Sequence, residues 1–381
     1  MKFSFLDSIQ HIAQEQWNNL TGIDYPFLRH EFLLALEQSG CVSASTGWQP
    51  QHLIVEDLQQ RLAVAPMYVK QHSYGEFVFD HPWAEAYHRH GLDYYPKLLN
   101  AIPYTPCTGP RIAFKNIDAK TLAPLLCEGL NQHLETLKAS SWHSLFVDNE
   151  QTNLWQQTGA ERRIACHFHW LNQSYPTFDA FLQTCQPRKR KELKRERKKV
   201  AEQGIHFQRL QGLQITSAHM SQFYLFYQLT NAKYNGHGGY LNEDFFQQLL
   251  QSMPEQMLLA LATKNGQCIA GALHFFSSNT LYGRYWGCTQ EHDFLHFETC
   301  FYQGIEFCIE NKLDVFDPGA QGEHKIKRGF TPILTQSFHH LTHPQFRLAV
   351  QNYLVQEQQA VLNYQREMMG LLPFNKPDTP N

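Results

Sequence analysis

Residues 258–276 read LLALATKNGQCIAGALHFF, two apolar runs of strand length joined by a polar turn. With the run that follows they give three strands in succession, Met257-Thr263, Cys268-Phe276 and Thr280-Trp286. A helix from about Phe297 to Asn311 comes next, then a strand, Leu313-Phe316, and a glycine-rich loop. Three strands, a crossing helix and a further strand define an α/β (α+β) unit, with a mixed sheet flanked by helices.

Upstream the same alternation holds. Helical spacing covers Ser8 to Asn19 and Phe27 to Ser39, the second closed by Gly40. Strands are expected at Gln51-Val55, Leu62-Val69, Phe77-Phe79, Leu145-Val147, Ile164-Leu171 and Ile205-Leu210. Helices are expected at 121–140, 152–158, 217–234 and 243–252, and at 177–203 with a break at Pro187. Pro344 opens a C-terminal helix to about Met369, before a tail, PFNKPDTPN, that reads as frayed. HLIVEDLQQRLAVAPMYV (52–69) echoes the 258–276 hairpin. In each copy a glycine turn follows later, at Cys107-Thr108-Gly109-Pro110 and at Pro318-Gly319-Ala320-Gln321. That order suggests two similar units, 1–161 and 162–381, the second carrying the basic run and the glycine-rich loop.

The loop, FDPGAQGEHKIKRGF (316–330), packs a carboxylate, an imidazole and three cations between glycines. So many charges cannot all be core, since each unpaired buried charge costs several kcal/mol. Either it is a solvated turn or it is a site, and Glu323-His324-Lys325 would offer a base, an acid and an anchor.

Composition bounds the rest. Among 381 residues, 43% are hydrophobic and the net charge is −3, so the chain builds real cores and has no general affinity for nucleic acid. The charge is uneven: RKRKELKRERKK (188–199) holds nine of the 32 Lys and Arg against Glu192 and Glu196, a local +7. Nine scattered cysteines without a CxxC pair predict reduced thiols and a cytoplasmic protein. MKFSFLDSIQ has no signal-peptide core, and no window nears 18 apolar residues, so neither secretion nor membrane spanning is expected. His339-His340-x-x-His343 and His167-x-His169 lack a metal-site pattern, and no metal or cofactor is expected.

With LYGRYWGC (281–288), LHFETCFYQGIEFCIE (295–310) and DPGAQGEHKIKRGFTP (317–332) added, the chain resembles the FemAB-like branch of the GNAT-fold N-acyltransferases. GEFVFD (75–80), YYPKLL (94–99), TPCTGPR (105–111) and RKRKELKRERKKVAEQGI (188–205) extend the resemblance over nearly the whole chain. His81-Pro82 departs from the pattern. The resemblance implies two tandem GNAT-like domains and transfer of an acyl or aminoacyl group to an amine. It also implies an aminoacyl-tRNA donor and a peptidoglycan-precursor or other peptide-like acceptor. An acyl-CoA-dependent N-acyltransferase and a silent peptide- or glycan-recognition protein are the alternatives.

The residues can be matched to that chemistry. Aminolysis needs a base for the amine, donors for the oxyanion and an acid for the leaving group. Glu323 or His324 suits the first. The 318–322 turn, or a bulge in Thr280-Trp286, suits the second, and Tyr282 or Tyr285 the third. Glu298 is a further catalytic candidate on the family motif. Arg284, His296, Lys325 and Arg328 are candidate substrate contacts, joined in the first half by Asp80, Tyr95, Lys97 and Arg111. The CTQEHDFL stretch (288–295) lacks the glycines that cradle a CoA pyrophosphate and carries two acids, which favours aminoacyl-tRNA. Arg188, Lys189, Arg190, Lys194 and Arg197 are the candidate RNA contacts; a solvated helix face is the alternative.

Overall fold

The computed structural model describes residues 1–375 except 59 and 321; the last six residues of the expected frayed tail lie outside it. The chain divides into two compact units, residues 1–166 with 334–363, and 167–333 with 364 onward. This differs from the linear split expected at 161/162. The first crossing falls at 166/167, and 334–363 return to the first unit. The return has a physical basis. Val350 and Leu354 bury their side chains against Trp83, Tyr87, Tyr94 and Leu341 of the first unit.

Fifteen strands occur among the described residues: β1 (Lys2–Leu6), β2 (Trp48–Pro50), β3 (His52–Glu56), β4 (Arg61–Ala65), β5 (Met67–Lys70), β6 (Lys97–Asn100), β7 (Ala113–Phe114), β8 (Ser141–Ser144), β9 (Glu161–Leu171), β10 (Ile205–Gln211), β11 (Met257–Lys264), β12 (Gln267–Phe276), β13 (Thr280–Cys288), β14 (Val315–Asp317) and β15 (Thr331–Leu341). In the first unit β1-β3-β4-β7 form an antiparallel sheet, and β15, β8, β6, β5 and β2 are successive neighbours in a second. The expected strand Leu62-Val69 is therefore two strands. Pro66 has no N–H to give to a ladder, and there the chain leaves one sheet for the other. Phe77-Phe79 is not a strand, since Phe77 sits at φ +61°. The helix Ala119–Leu137 covers the first core with Leu122, Leu126 and Leu130 against Leu53, Val55, Trp142 and Trp155.

In the second unit the order is β10-β11-β12-β13-β14-β9, antiparallel except for β13 beside β14. Continuous apolar runs carry β11 and β12, both buried on both faces along most of their length. The helix Ser217–Asn235 packs against β13 so closely that a Cβ on Gly287 would lie 2.1 Å from the Phe226 carbonyl. The segment from Leu295 to Asn311 is helical throughout, with a π-turn at Glu298–Tyr302, and Ile305 and Phe307 join Phe316 and Leu281 in the core. As expected, the 177–203 stretch breaks at Pro187, giving the helices Phe178–Gln183 and Pro187–Glu202, the second opened by the proline and carrying the whole basic run. No helix among the described residues is long and apolar enough to cross a membrane.

Candidate active site

β13 and β14 run in parallel for only three residue pairs, ending at Tyr282 opposite Asp317. Beyond that point the two part. On its other side β13 stays paired with β12, but the register steps from His274–Gly283 to Leu273–Tyr285, so Arg284 is the extra residue of a β-bulge. The bulge that the sequence offered as a source of oxyanion donors therefore exists, and it re-aims the side chains around it. Arg284 no longer shares a simple alternating face with Tyr282 and Trp286.

Past Asp317 the chain turns through the glycine-rich loop. Asp317 Oδ1 accepts the Gly319 N–H at 2.9 Å, and Gly319 and Gly322 take φ of +83° and +103°, which a side chain would resist. Lys325 is buried, and its ammonium donates to the carbonyls of Gly319 at 2.7 Å and Ala320 at 3.3 Å. The lysine thus shapes the loop from inside while also lining the cavity described next. Between the bulge, the first turns of the 295–311 helix and this loop lies a cavity of about 390 Å³. Its walls include His274, Arg284, Trp286, His296, Phe301 and His324, and no Asp or Glu.

Electrostatics set what these groups can do. Burial pushes the His274 imidazole down to about 3. Burial, then the charges of Lys325 and Arg328, bring His324 to about 4; His296 falls to about 4 through burial with His324, Lys325 and Arg328 nearby. All three rings are therefore neutral at pH 7, and the burial that keeps them so also lowers their proton affinity at rest. With Arg284 among them and no carboxylate in the walls, the cavity favours developing negative charge.

The other expected residues fall elsewhere. Glu323 is exposed and accepts the Tyr364 hydroxyl at 2.9 Å, outside the cavity walls. Tyr282 is buried and does not line the cavity; Tyr285, which does, packs against Tyr227 and Phe246 with ring centroids 5.8 and 5.4 Å away. Glu298 is buried and bound by the Arg197 guanidinium at 2.8 Å and by Gln303 Nε2 at 2.9 Å. Arg197 also reaches Glu306 at 2.6 Å and lies over the Phe178 ring, and these carboxylates raise its proton affinity further. Arg328 is buried, fixed to both Glu196 oxygens at 2.8 Å, and stacked 3.3 Å over Phe297.

Two residues of the basic helix, Glu196 and Arg197, are therefore its anchors. The groove beside it, about 720 Å³, sets Lys194, Arg197 and Lys198 against Asp179, Glu298 and Glu306, so its lining is balanced rather than cationic. Lys194 pairs with Asp179 at 2.8 Å, while Arg188 and Lys189 share Glu192 at 3.4 and 3.3 Å and Arg190 bonds Gln183.

In the first unit the structure brings Asp80, Tyr95 and Lys97 together. The buried Lys97 ammonium donates to Glu76 at 2.7 Å, to Ser73 at 2.8 Å and to Asp80; Ser73 in turn bonds the Tyr95 hydroxyl at 2.8 Å. Tyr94 donates to Asp80 at 2.7 Å and meets His143, which shares a 2.8 Å bond with His339. Lys97 holds Asp80 well below the usual carboxylate range although burial opposes it. Burial pushes Glu76 up to about 7, Lys70 down to about 7 and His143 down to about 3. Arg111 does not join them: it is buried and donates to the carbonyls of Leu145, Pro110 and Cys107. Sequence reading missed His274, Lys70, Glu76, His143 and His339 as members of polar sites, although Glu76 lay in the motif GEFVFD and His339 in the pattern His339-His340-x-x-His343.

Two α+β units, a parallel strand pair that parts beside a bulge, and a cavity at the parting are features of tandem GNAT-like folds. Solved structures agree. FemX is similar over 91% of this chain and 99% of its own at 12% identity, with a TM-score of 0.53. The C-terminal domain of a putative lysylphosphatidylglycerol synthetase from Agrobacterium fabrum is similar over 90% and 95% at 9% identity, with a TM-score of 0.52. A conserved protein of unknown function from Bacteroides thetaiotaomicron is similar over 90% and 100% at 12% identity, with a TM-score of 0.53. At these identities the likeness is one of fold. No curated protein matches the chain. The model of the FemAB-like family, described as peptidoglycan biosynthesis/recognition, matches residues 8–376, and the chain belongs to that family.

Proposed function

We propose that the protein is an N-acyltransferase that moves an aminoacyl group from aminoacyl-tRNA onto an amine of a peptidoglycan precursor or similar peptide, and that the cavity at the Arg284 bulge is its active site. The observation that carries this reading is the bulge opening onto neutral imidazoles and an arginine where β13 and β14 part. A tetrahedral oxyanion formed there meets backbone donors and positive potential, and an attacking amine meets a proton acceptor. Family membership supports peptidoglycan chemistry. Arg188 is exposed and, with the half-buried Lys189 and Arg190, remains able to meet a phosphate backbone, whereas Arg197 is committed to Glu298 and Glu306.

Total tRNA charged with labelled amino acids, a peptidoglycan-derived peptide bearing a free amine, and mass analysis of the peptide test this directly. Label transfer to the peptide is expected; none with any amino acid overturns the reading. Within an active preparation, Arg284→Met lowers kcat/KM by about 100-fold or more, the scale of losing an oxyanion stabiliser. Glu323→Gln stays within about twofold of the parent, because that carboxylate faces Tyr364 rather than the cavity. Full activity in Arg284→Met would remove this cavity from the chemistry.

The donor has its own test. The turn before Leu295 carries Glu291 and Asp293, which pair with Lys233 and Lys199 and repel a pyrophosphate from this helix start. CoA is therefore expected to bind with Kd above roughly 0.1 mM, under about 6 kcal/mol of binding free energy. Calorimetry giving a micromolar Kd would instead favour an acyl-CoA donor.

A further inference from the structure

We propose that His274 is the base that takes the proton of the attacking amine, an assignment that rests on the acyl-transfer reading above. His274 lies on β12 opposite Gly283, immediately before the register step, and forms part of the cavity wall. Its residue is 1% exposed, and neither ring nitrogen has a hydrogen-bond partner. A buried imidazole with both nitrogens unsatisfied destabilises a fold, and an apolar residue of similar size would serve packing better. The structural role is therefore the weaker account of a histidine here. What remains for it is a ligand.

The space beside the ring is where the reacting carbon is expected. Glycine is needed at 283 to leave the ring room: a Cβ there would stand 3.2 Å from the Phe316 ring, 3.3 Å from the Pro318 Cα and 3.5 Å from His274 Nδ1, so any side chain would crowd the imidazole. A carbonyl placed against the bulge has the imidazole on one side and β13 backbone on the other. The two remaining histidines are built into the walls. His296 packs on Trp286 and Phe301 with centroids 5.2 and 5.3 Å away, and His324 on Phe297 and Phe301 at 5.5 and 5.6 Å, both within the field of Lys325 and Arg328.

The step balances without a further reactant. The amine lone pair forms the C–N bond, the carbonyl π pair moves to oxygen, and the N–H proton passes to His274. Collapse of the intermediate breaks the C–O bond, and the departing hydroxyl takes the proton back, so ester and amine become amide and alcohol. Burial keeps the resting ring neutral, and the oxyanion forming beside it raises its proton affinity when the proton arrives.

The transfer assay above, run on the full chain with His274→Leu and with His274→Ala with and without added imidazole, tests the assignment. His274→Leu is expected to lower kcat at least ~100-fold with KM within about threefold. Its thermal midpoint stays level or rises, because an unsatisfied polar group has been removed. Added imidazole restores at least ~10-fold of the activity that His274→Ala loses. If kcat of His274→Leu stays within about fivefold of the parent, His274 is not the base and the transfer reading stands. A midpoint lower by more than about 5 °C would show a structural role and overturn the assignment too. A parent chain inactive with every donor overturns the transfer reading, and this assignment with it.

Discussion

Lys97→Met lowers the unfolding midpoint of the first unit by about 10 °C at pH 8. Lys97 is fully buried, and its ammonium is the shared partner of Glu76, Asp80 and Ser73. Removing one member of a buried ion pair costs about 3–5 kcal/mol, because the charge left behind stays desolvated. Here two carboxylates are left, and Lys70 reaches Glu76 only at 4.0 Å. For a unit of this size, each kcal/mol moves the midpoint by about 2–4 °C.

The loss depends on pH with a definite sign. Without Lys97, Glu76, already raised by burial to about 7, and Asp80 both rise, since their main attractive partner is gone. A carboxyl whose folded pKa lies above its unfolded value stabilises the fold below the unfolded value and loses that contribution as pH rises through the folded one. The gap between variant and parent is therefore narrower at pH 5.5 than at pH 8. Scanning calorimetry at the two values decides it. A midpoint within about 2 °C of the parent at pH 8 means the network contributes little to stability.

That network also shows where sequence reading stops. The 257–276 strands were legible as continuous apolar runs broken by a polar turn, and the glycine-rich loop by its glycines and charges. β8 and β15 were not. Ser141-Trp142-His143-Ser144 fell between an expected helix and an expected strand, and Thr331–Leu341 was not expected to be a strand, because serines and histidines fill buried positions there. They are buried because His143 meets His339 from 196 residues away, a pairing that no local pattern encodes. β1, β2, β6 and β7 have two to five residues each, too few for alternation to stand out.

The candidate site divides in the same way. The glycines announced the loop, but not the direction of the side chains on it. Glu323, His324 and Lys325 lie on a single 3₁₀ turn, where successive residues point about 120° apart. Glu323 therefore faces Tyr364, away from the cavity, while His324 and Lys325 both line it, the lysine with its ammonium on the loop carbonyls. Reading the three as one cluster merged residues that the turn separates. His274 was hidden for the opposite reason: within ALHFF it reads as one more residue of a buried strand.

Gly287→Ala removes about 3 kcal/mol or more from the second unit, and the midpoint of that unit falls by roughly 6–12 °C. A Cβ there would stand 2.1 Å from the carbonyl carbon and oxygen of Phe226 and 2.5 Å from the Tyr227 nitrogen. These are helix backbone atoms, so no rotamer change relieves the clash and the 217–235 helix must move away from β13. The movement breaks the 3.0 Å bond from Cys288 N–H to Thr230 and loosens Tyr227 against Tyr285, one residue from the bulge. Transfer activity is expected to fall with stability. Gly271→Ala is the control on the adjacent strand: its Cβ would meet only side chains, Leu261 and Phe223 at 3.2 Å and Phe226 at 3.6 Å, which can yield by a few tenths of an ångström. That variant loses about 1 kcal/mol or less. Denaturant unfolding of the two variants separates backbone contact from ordinary crowding, and equal losses would mean that the close approach at Gly287 does not set the position of the helix.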